Sequence, residues 1–486
     1  MKRRILIVSQ NFIVGGIETR LQGHCNQMIA AGMEVFLLTG LNYKKKFLPK
    51  GLKKIFHQDY FHPYVRGNDL ENEINGIASI IRDNQIDLVI VHPHLSIPST
   101  TLAAKKCGVR CGIVLHGALN LENYYGWTHR LLFQIALNVA DFIELVSEEI
   151  LELTKPFIYH NRYFIERNRI CYFTFSENQS CKDPYSIAIV SRLAIDKYDS
   201  ITYLLKKMSG SKFKIAIFGE GPYKSKLKKF IKKENIDNVQ LKGVSTCIPN
   251  AVKDFYFIAG VYRVVLEGLS QNKPTILAGY DGVKGLIDIP LFNKASFSNY
   301  GGKGGIPNIE KNQFLMQLES CIKQPEPYQL RKELQPKIAL NNNFQSYVDS
   351  LFNIKDFAVS DNISFINDII AEISVHFMKI KYSCWVNDNS LLVSISKIFN
   401  DPRYQQERIP RYLASILHNY PIEIIQKNFQ QAIQPTKKLI YIKNFVLFYS
   451  YRFYLKLPIK LQTIARSLLK NKLSSAKNIP ENSIQN

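Results

Sequence analysis

The fold is decided near the start of the chain, where residues 5–38 read ILIVSQNFIVGGIETRLQGHCNQMIAAGMEVFLL. An apolar run at Ile5–Ser9 leads to a glycine pair, Gly15–Gly16, and a second apolar run follows at Val35–Leu38. Between them, apolar side chains recur at the spacing of one helix face: Leu21, Cys25, Met28 and Ile29. A strand, a glycine turn, a helix and a strand in this order are the opening of a doubly wound parallel sheet.

The same alternation continues along the chain in two groups of strands. The first group adds Leu88–His92, Gly112–His116 and Phe142–Ser147. After a polar stretch at residues 176–183, a second group is predicted at Ile187–Val190, Lys214–Phe218, Val239–Lys242, Phe255–Ile258 and Thr275–Ala278. The predicted fold class is therefore α/β, with two Rossmann-like domains whose ligand-binding strand ends face each other across a cleft.

Composition indicates a folded protein that meets an anionic partner. Of 486 residues, 46% are hydrophobic and 21% are charged, which excludes wholesale disorder. The formal net charge of +23 attracts nucleotides, nucleic acid or an acidic membrane surface. Residues 424–480 hold eleven Lys or Arg and no Asp or Glu, so this part of the chain is predicted to be a surface-binding element.

The cysteines and the first residues predict the compartment. Eight cysteines occur without a C-x2-C pair or a neighbouring His cluster, so neither a zinc site nor a disulfide framework is indicated. The segment Met1–Val8 lacks a signal-peptide pattern, and no apolar run approaches the roughly 18 residues that span a bilayer. We expect a cytoplasmic protein, peripheral at the inner face of the cytoplasmic membrane if its basic tail binds lipid.

Two local patterns are suited to holding a phosphate. Arg192 and Lys197 follow the predicted strand Ile187–Val190, and two cations at a strand end can grip one diphosphate. Gly15 and Gly16 stand at a strand-to-helix turn, where backbone N–H groups and the positive helix end favour an anion. Taken singly, the first pattern is also that of a solvated basic loop and the second that of an ordinary turn.

An ordered set of motifs carries a family resemblance. Its members are Gly15–Glu18, His116-Gly117, Arg192–Lys197, Gly219-Glu220-Gly221-Pro222, Val239–Gly243, and Glu267 ahead of Lys273-Pro274-Thr275-Ile276. Over residues 1–355 this order resembles glycosyltransferase family 4, the retaining enzymes of the GT-B fold that include bacterial surface-polysaccharide enzymes. The resemblance implies transfer of a sugar from a UDP- or GDP-sugar to a glycan or lipid-linked glycan acceptor.

The resemblance also implies roles for individual residues. His116 would lie beside the transferred sugar, while Arg192 and Lys197 neutralise the leaving diphosphate, so these three form the catalytic group. The implied donor-binding residues are Gly15, Gly16, Gly219, Gly221, Gly243, Val244 and Glu267. Among them Glu267 would bind the ribose, and the loop at 243–246 would border the base. Such a site needs no bound metal or other cofactor, because fixed cations and a helix N-terminus stabilise the leaving charge.

Three segments are predicted on this basis. Residues 1–178 form the acceptor-side domain, residues 179–355 the nucleotide-sugar-binding domain, and residues 356–486 a mainly α-helical basic extension with a disordered end. Within the extension, residues 437–472 interleave aromatic and basic side chains, which favours an anionic membrane surface over a helix docked on the core. Nucleic acid is disfavoured, since no nucleic-acid-binding motif accompanies the charge.

The chain departs from the family pattern at two places. Ala259 stands eight residues before Glu267, where the family usually has a glutamate that reaches the donor sugar. The usual Gly-Gly-x-x-Glu is altered in Asp281–Gly285, and we expect Tyr262 or Arg263 to fill part of the gap. Ala259 keeps open a non-catalytic GT-B protein that binds nucleotide or glycan, or that serves as a scaffold.

A histidine pair and a third class of protein complete the predictions. His92 and His94 end the strand before His116 and are expected to line the acceptor side of the cleft. A metal site at this His-x-His pair is disfavoured, because no further ligand stands at suitable spacing. A GT-B-shaped sugar-nucleotide epimerase is also disfavoured, since the sequence reveals no acid/base carboxylates for it.

Overall fold

The computed structural model describes residues 2–353, apart from residues 14, 59–68, 94, 118–126, 156–157, 159–160, 169–180, 182, 246–247, 304, 331 and 333–343. The predicted extension at 356–486, with its basic segment at 437–472, lies outside this part of the chain, as does His94. Within the described part, no helix is long and apolar enough to cross a membrane.

The first sheet has seven parallel strands in the order β3-β2-β1-β4-β5-β6-β7. Its strands are β1 (Arg4–Ser9), β2 (Glu34–Thr39), β3 (Lys54–His57), β4 (Leu88–Val91), β5 (Arg110–Leu115), β6 (Phe142–Leu145) and β7 (Tyr163–Ile165). The helices between them are α1 (Gly16–Ala30), α2 (Asp69–Asp83), α3 (Ser96–Lys106), α4 (Trp127–Val139) and α5 (Glu148–Thr154). The strand order reverses between β1 and β4, which is where doubly wound sheets bind ligands.

The second sheet repeats this plan in the order β10-β9-β8-β11-β12-β13, with only β13 antiparallel among its described strands. Its strands are β8 (Ser186–Val190), β9 (Lys214–Phe218), β10 (Val239–Gly243), β11 (Phe257–Gly260), β12 (Thr275–Gly279) and β13 (Gly282–Leu286). Its helices are α6 (Ile195–Met208), α7 (Lys224–Lys233), α8 (Ile248–Val252), α9 (Arg263–Ser270), α10 (Ile289–Ser296) and α11 (Lys311–Lys323). The order reverses here between β8 and β11.

All ten predicted strands are present, and most of them are apolar runs that the sheet buries; β10, with exposed Gln240 and Lys242, alternates instead. The strands β4, β6, β8, β11 and β12 are buried along their whole length. The predicted strand at Phe255–Ile258 instead spans Phe257–Gly260, a shift of two residues that matters for the site below. The pattern missed β3, β7 and β13, which lie at sheet edges: β3 and β7 are short, and β13 contains two glycines.

The last described helix, α12 (Phe344–Asn353), packs on the first domain although it follows the second in sequence. Its Val348 and Leu351 are fully buried in the same core as Ile5 and Val35. Arg110 at the start of β5 donates a hydrogen bond to the Leu351 carbonyl at 3.0 Å. This helix lies inside the predicted segment 179–355, whose boundaries stay a prediction.

Candidate active site

The glycine turn after β1 presents the N-terminus of α1 to the cleft. Helix α1 begins at Gly16, with Gly15 extended before it. A side chain on Gly15 would clash with the Glu18 carboxylate, which therefore folds back over the first turn of the helix. A helix N-terminus carries free N–H groups and partial positive charge, so a carboxylate there occupies a place suited to any anion.

Glu18 is held in an unusual protonation state at this position. Burial raises its pKa to about 7, while its own backbone N–H and the nearby charge of Arg192 oppose the rise. Arg192 belongs to the second domain, so a charge of the second domain acts on a side chain of the first domain at the first turn of α1. A carboxyl group with this pKa changes charge near neutral pH.

Arg192 and Lys197 both lie at the carboxyl end of β8, as predicted. Arg192 is in the loop after the strand and has 60% of its side chain exposed. Lys197 is in the first turn of α6 and is largely buried. Asp196 lies between them, 3.5 Å from the Arg192 guanidinium and 3.7 Å from the Lys197 ammonium. One carboxylate thus keeps the two cations together.

Two aromatic rings enclose Lys197. Its Nζ lies 4.4 Å from the ring centroid of Tyr262 and 4.1 Å from that of Tyr280, and it is hydrogen-bonded to the Tyr280 hydroxyl. Lys303 also approaches Tyr280, with its Nζ 4.8 Å from the ring centroid. Burial lowers the pKa of Lys197 to about 8, Asp196 opposes this, and Arg192 and Lys303 add to it. Arg192 and Lys303 therefore repel the Lys197 ammonium, and an anion bound between these cations would reduce the repulsion.

The Gly219 and Gly221 turn after β9 supports the loop that carries Arg192. A side chain on Gly219 would clash with the Ser191 carbonyl, and one on Gly221 with the Leu193 carbonyl. Leu193 N–H donates to the Glu220 carbonyl at 2.9 Å, closing the contact between the two loops. Both glycines were expected to bind the donor, and the structure gives them close packing against the backbone of this loop.

The turn after β10 approaches the same region. The Gly219 N–H donates to the Gly243 carbonyl at 2.8 Å, and Gly243 has a positive φ of 82° that favours glycine. Val244, which follows it, is 49% exposed. The predicted donor loop is therefore adjacent to the Gly219 turn, and its base-binding role stays a prediction.

Glu267 lies on α9 and is joined to Arg263 one turn earlier. The Arg263 Nη2 lies 3.3 Å from a Glu267 carboxylate oxygen. Burial raises the pKa of Glu267, and the charge of Arg263 opposes this. The expected ribose-binding carboxylate is thus oriented by a guanidinium that the sequence indicated only as a gap-filling candidate.

The structure gives the Ala259 departure a physical reason. Ala259 lies inside β11, paired with Ile189 and Ile276, and is fully buried in the core of the second domain. Only Val261 and Tyr262 separate β11 from α9. A glutamate at 259 would point into an apolar core, so what is missing is a longer strand-to-helix loop that could bring a carboxylate to the cleft.

Tyr262 occupies this short connection in a strained conformation. Its φ of 58° and ψ of −127° are rare for a residue with a side chain. Its N–H donates to the Tyr300 carbonyl at 2.9 Å, which holds the turn. The strain lets its ring reach Lys197, so Tyr262 and Arg263 both fill the region where the family's first glutamate is absent.

His92 and His116 form a pair rather than two separate cleft residues. His92 Nδ1 lies 2.8 Å from His116 Nε2, and His92 is only 2% exposed. Burial, together with the charge of Arg20, holds the pKa of His92 well below its usual range, so its imidazole is neutral. His92 is thus buried against the partly exposed His116, and its place on the acceptor side of the cleft stays a prediction.

The assembled groups are suited to holding a diphosphate. The first turn of α1, the Arg192–Lys197 loop and the start of α9 meet around Glu18, with the cations in excess over the carboxylates that contact them. Among the residues described, no group of three or more His, Cys, Asp or Glu side chains is arranged to hold a metal ion. Sequence reasoning missed Lys303, although its position in the glycine-rich stretch 301–305 was an available signal.

Comparison with known proteins agrees with this architecture. Residues 14–162 match the model described as Glycosyltransferase Family 4. The lipopolysaccharide outer core galactosyltransferase WaaB, in its apo form, is 15% identical with a TM-score of 0.50, covering 72% of this chain and 99% of its own. HepE of Anabaena, in complex with UDP-glucose, is 14% identical with a TM-score of 0.52 over 72% and 99%.

A third structure, sucrose-phosphate synthase from Thermosynechococcus elongatus, is 12% identical with a TM-score of 0.55 over 73% of this chain and 100% of that one. No curated protein matches the sequence. The two tandem doubly wound sheets are those of the GT-B fold, which these structures share with this chain. The family whose model matches residues 14–162 is the one that the order of the motifs resembles.

Proposed function

We propose that the protein moves a hexose from a nucleotide-diphosphate donor, UDP- or GDP-linked, to a glycan or lipid-linked glycan, with retention, in the synthesis of a bacterial cell-surface polysaccharide. The observation that carries the proposal is the meeting of Arg192 with Glu18 at the N-terminus of α1, next to the largely buried Lys197. Charges fixed in this way stabilise a departing diphosphate without rearrangement. The UDP-glucose complex of HepE and the lipopolysaccharide role of WaaB support the donor and acceptor classes.

A panel of UDP- and GDP-sugars in a thermal-shift assay tests the donor, since a ligand of the folded state raises the melting temperature. We expect one or two donors to raise it for the wild type and for Lys229→Ala, an exposed cation on α7, but not for Arg192→Ala. Donor turnover, by transfer or slow hydrolysis, should likewise be retained in the wild type and Lys229→Ala and lost in Arg192→Ala. No shift with any nucleotide would count against the whole scheme.

A non-catalytic GT-B protein is the second candidate, and the buried position of Ala259 favours it. Such a protein would bind a nucleotide through Arg192 and Lys197 yet lack a carboxylate that assists turnover. Binding of UDP together with no sugar transfer and no donor hydrolysis over a full acceptor panel would identify it. Turnover that disappears in Arg192→Ala would exclude it.

We place the enzyme at the cytoplasmic face of the membrane through the basic segment 437–472, which lies outside the described residues. Support comes from the sequence alone, where aromatic and basic side chains alternate and each cation near an anionic leaflet contributes about 1 kcal/mol. Deleting the residues after Phe429 should move the protein from the membrane fraction to the soluble fraction of cells. Full retention in the membrane fraction would exclude this segment as the anchor.

A further inference from the structure

Arg263 is a buried cation at the start of a helix that faces the other domain. It is the first residue of α9 and only 7% exposed. The N–H groups of the first turn of a helix carry partial positive charge, so they repel the positive charge of an arginine at that position. Burial of such a charge is favourable only when anions meet it. Glu267 supplies such an anion, with a carboxylate oxygen 3.3 Å from Arg263 Nη2.

The stem of Arg263 extends to the predicted donor-phosphate glycine. A methyl group on Gly16 would lie 3.8 Å from Arg263 Cδ, so the two residues are in contact distance across the cleft. Gly16 begins α1 and Arg263 begins α9. Two helix N-termini and one guanidinium therefore converge, and the Glu18 carboxylate folds over the same turn of α1.

We infer that Arg263 is a third cationic ligand of the donor diphosphate, and that it compensates for the carboxylate that the short β11–α9 connection cannot bring to the sugar. The inference rests on the proposed function. In the transfer step the bond from the sugar C1 to the diphosphate oxygen breaks, and both electrons stay on that oxygen. The acceptor hydroxyl bonds to C1 and gives its proton to the departing oxygen.

Negative charge on the diphosphate oxygen grows as this bond breaks. A guanidinium placed there stabilises the transition state more than the bound donor, and only such differential stabilisation raises kcat. Family members with the usual glutamate assist the positive sugar; here the assistance shifts to the leaving group. Glu267 keeps the guanidinium oriented and is a positioning residue for it as well as the expected ribose ligand.

Isothermal titration with UDP and with uridine separates this role from a structural one. For Arg263→Gln we expect UDP affinity to fall about tenfold or more, uridine affinity to stay unchanged, and kcat for donor turnover to fall by about 10²-fold, the range for one lost oxyanion donor. Arg263→Lys retains the charge without the two-pronged guanidinium and should lose less of each. Glu267→Gln should weaken uridine as well, since it removes the ribose ligand.

The outcomes distinguish this inference from the proposed function. Wild-type affinity for UDP in folded Arg263→Gln would overturn it, as would equal losses for UDP and uridine. If Arg263→Gln does not fold, Arg263→Lys decides: unchanged UDP affinity together with unchanged kcat would overturn the inference. Absence of UDP binding by the wild type would instead reject the proposed function.

Discussion

At the scale of single residues, Glu18 makes donor binding depend on pH. Its pKa of about 7 means that it is largely neutral below neutral pH and ionised above it. An ionised Glu18 over the first turn of α1 competes with the donor phosphates for the same N–H groups. We therefore expect UDP affinity to fall about tenfold between about pH 6 and about pH 8, as one linked proton requires.

Glu18→Gln should remove most of this dependence, because the amide cannot ionise. The measurement is the ratio of wild-type to Glu18→Gln affinity for UDP across the pH range, in which titration of the ligand itself cancels. Lys197, with a pKa of about 8, loses its charge at the upper end in both proteins, so both weaken there. A ratio that does not change with pH would contradict the role of Glu18.

The sequence predicted the cations that stand at strand ends and missed the contacts that tertiary structure makes. Arg192 and Lys197 were predicted because a strand end in a doubly wound sheet is a known ligand position. The burial of Ala259 was not predicted, because the predicted strand ended at Ile258 and β11 extends to Gly260. Apolar patterns do not fix the end of a strand to within two residues. Lys303 reaches Tyr280 from a distant loop: the glycines at 301–305 mark the loop in the sequence, but they do not encode its contact with Tyr280.

At the scale of elements, the turn after β9 is predicted to position the Arg192 loop. Gly219→Ala would force its new methyl group against the Ser191 carbonyl, and we expect a loss of about 1–3 kcal/mol in stability together with weaker UDP binding. Gly210→Ala is the matched control: its φ of 74° disfavours alanine, yet nothing lies within 4 Å.

Gly210→Ala should therefore cost about 1 kcal/mol of backbone strain and leave UDP affinity intact. Chemical denaturation and titration with UDP, run on both variants, check the two effects separately. Equal affinities for UDP in Gly219→Ala and Gly210→Ala would show that the turn supports the fold alone. The β11–α9 connection also positions side chains through its backbone, since its length decides which of them reach the cleft.

At the scale of the whole molecule, apolar periodicity was enough to predict two tandem parallel sheets. It did not predict that α12, the last described helix, packs on the first domain. The apolar runs and alternating patterns of the strands are local in sequence, so all ten predicted strands appear. An amphipathic helix encodes only that one face is buried, and α12 would satisfy its pattern equally well on either core. Its return to the first domain is settled by contacts such as that of Arg110 with the Leu351 carbonyl.

This return makes α12 a stabilising element of the first domain. Leu351 is fully buried there, and Leu351→Ala should cost about 2–5 kcal/mol, since the cavity left behind adds to the lost burial. Met316→Ala on α11, at a side chain 72% exposed, should change stability by no more than about 0.5 kcal/mol. Thermal unfolding of the two variants checks this, and UDP affinity measured below the transition should match the wild type in both. Equal melting temperatures for Leu351→Ala and Met316→Ala would mean that α12 does not stabilise the first domain.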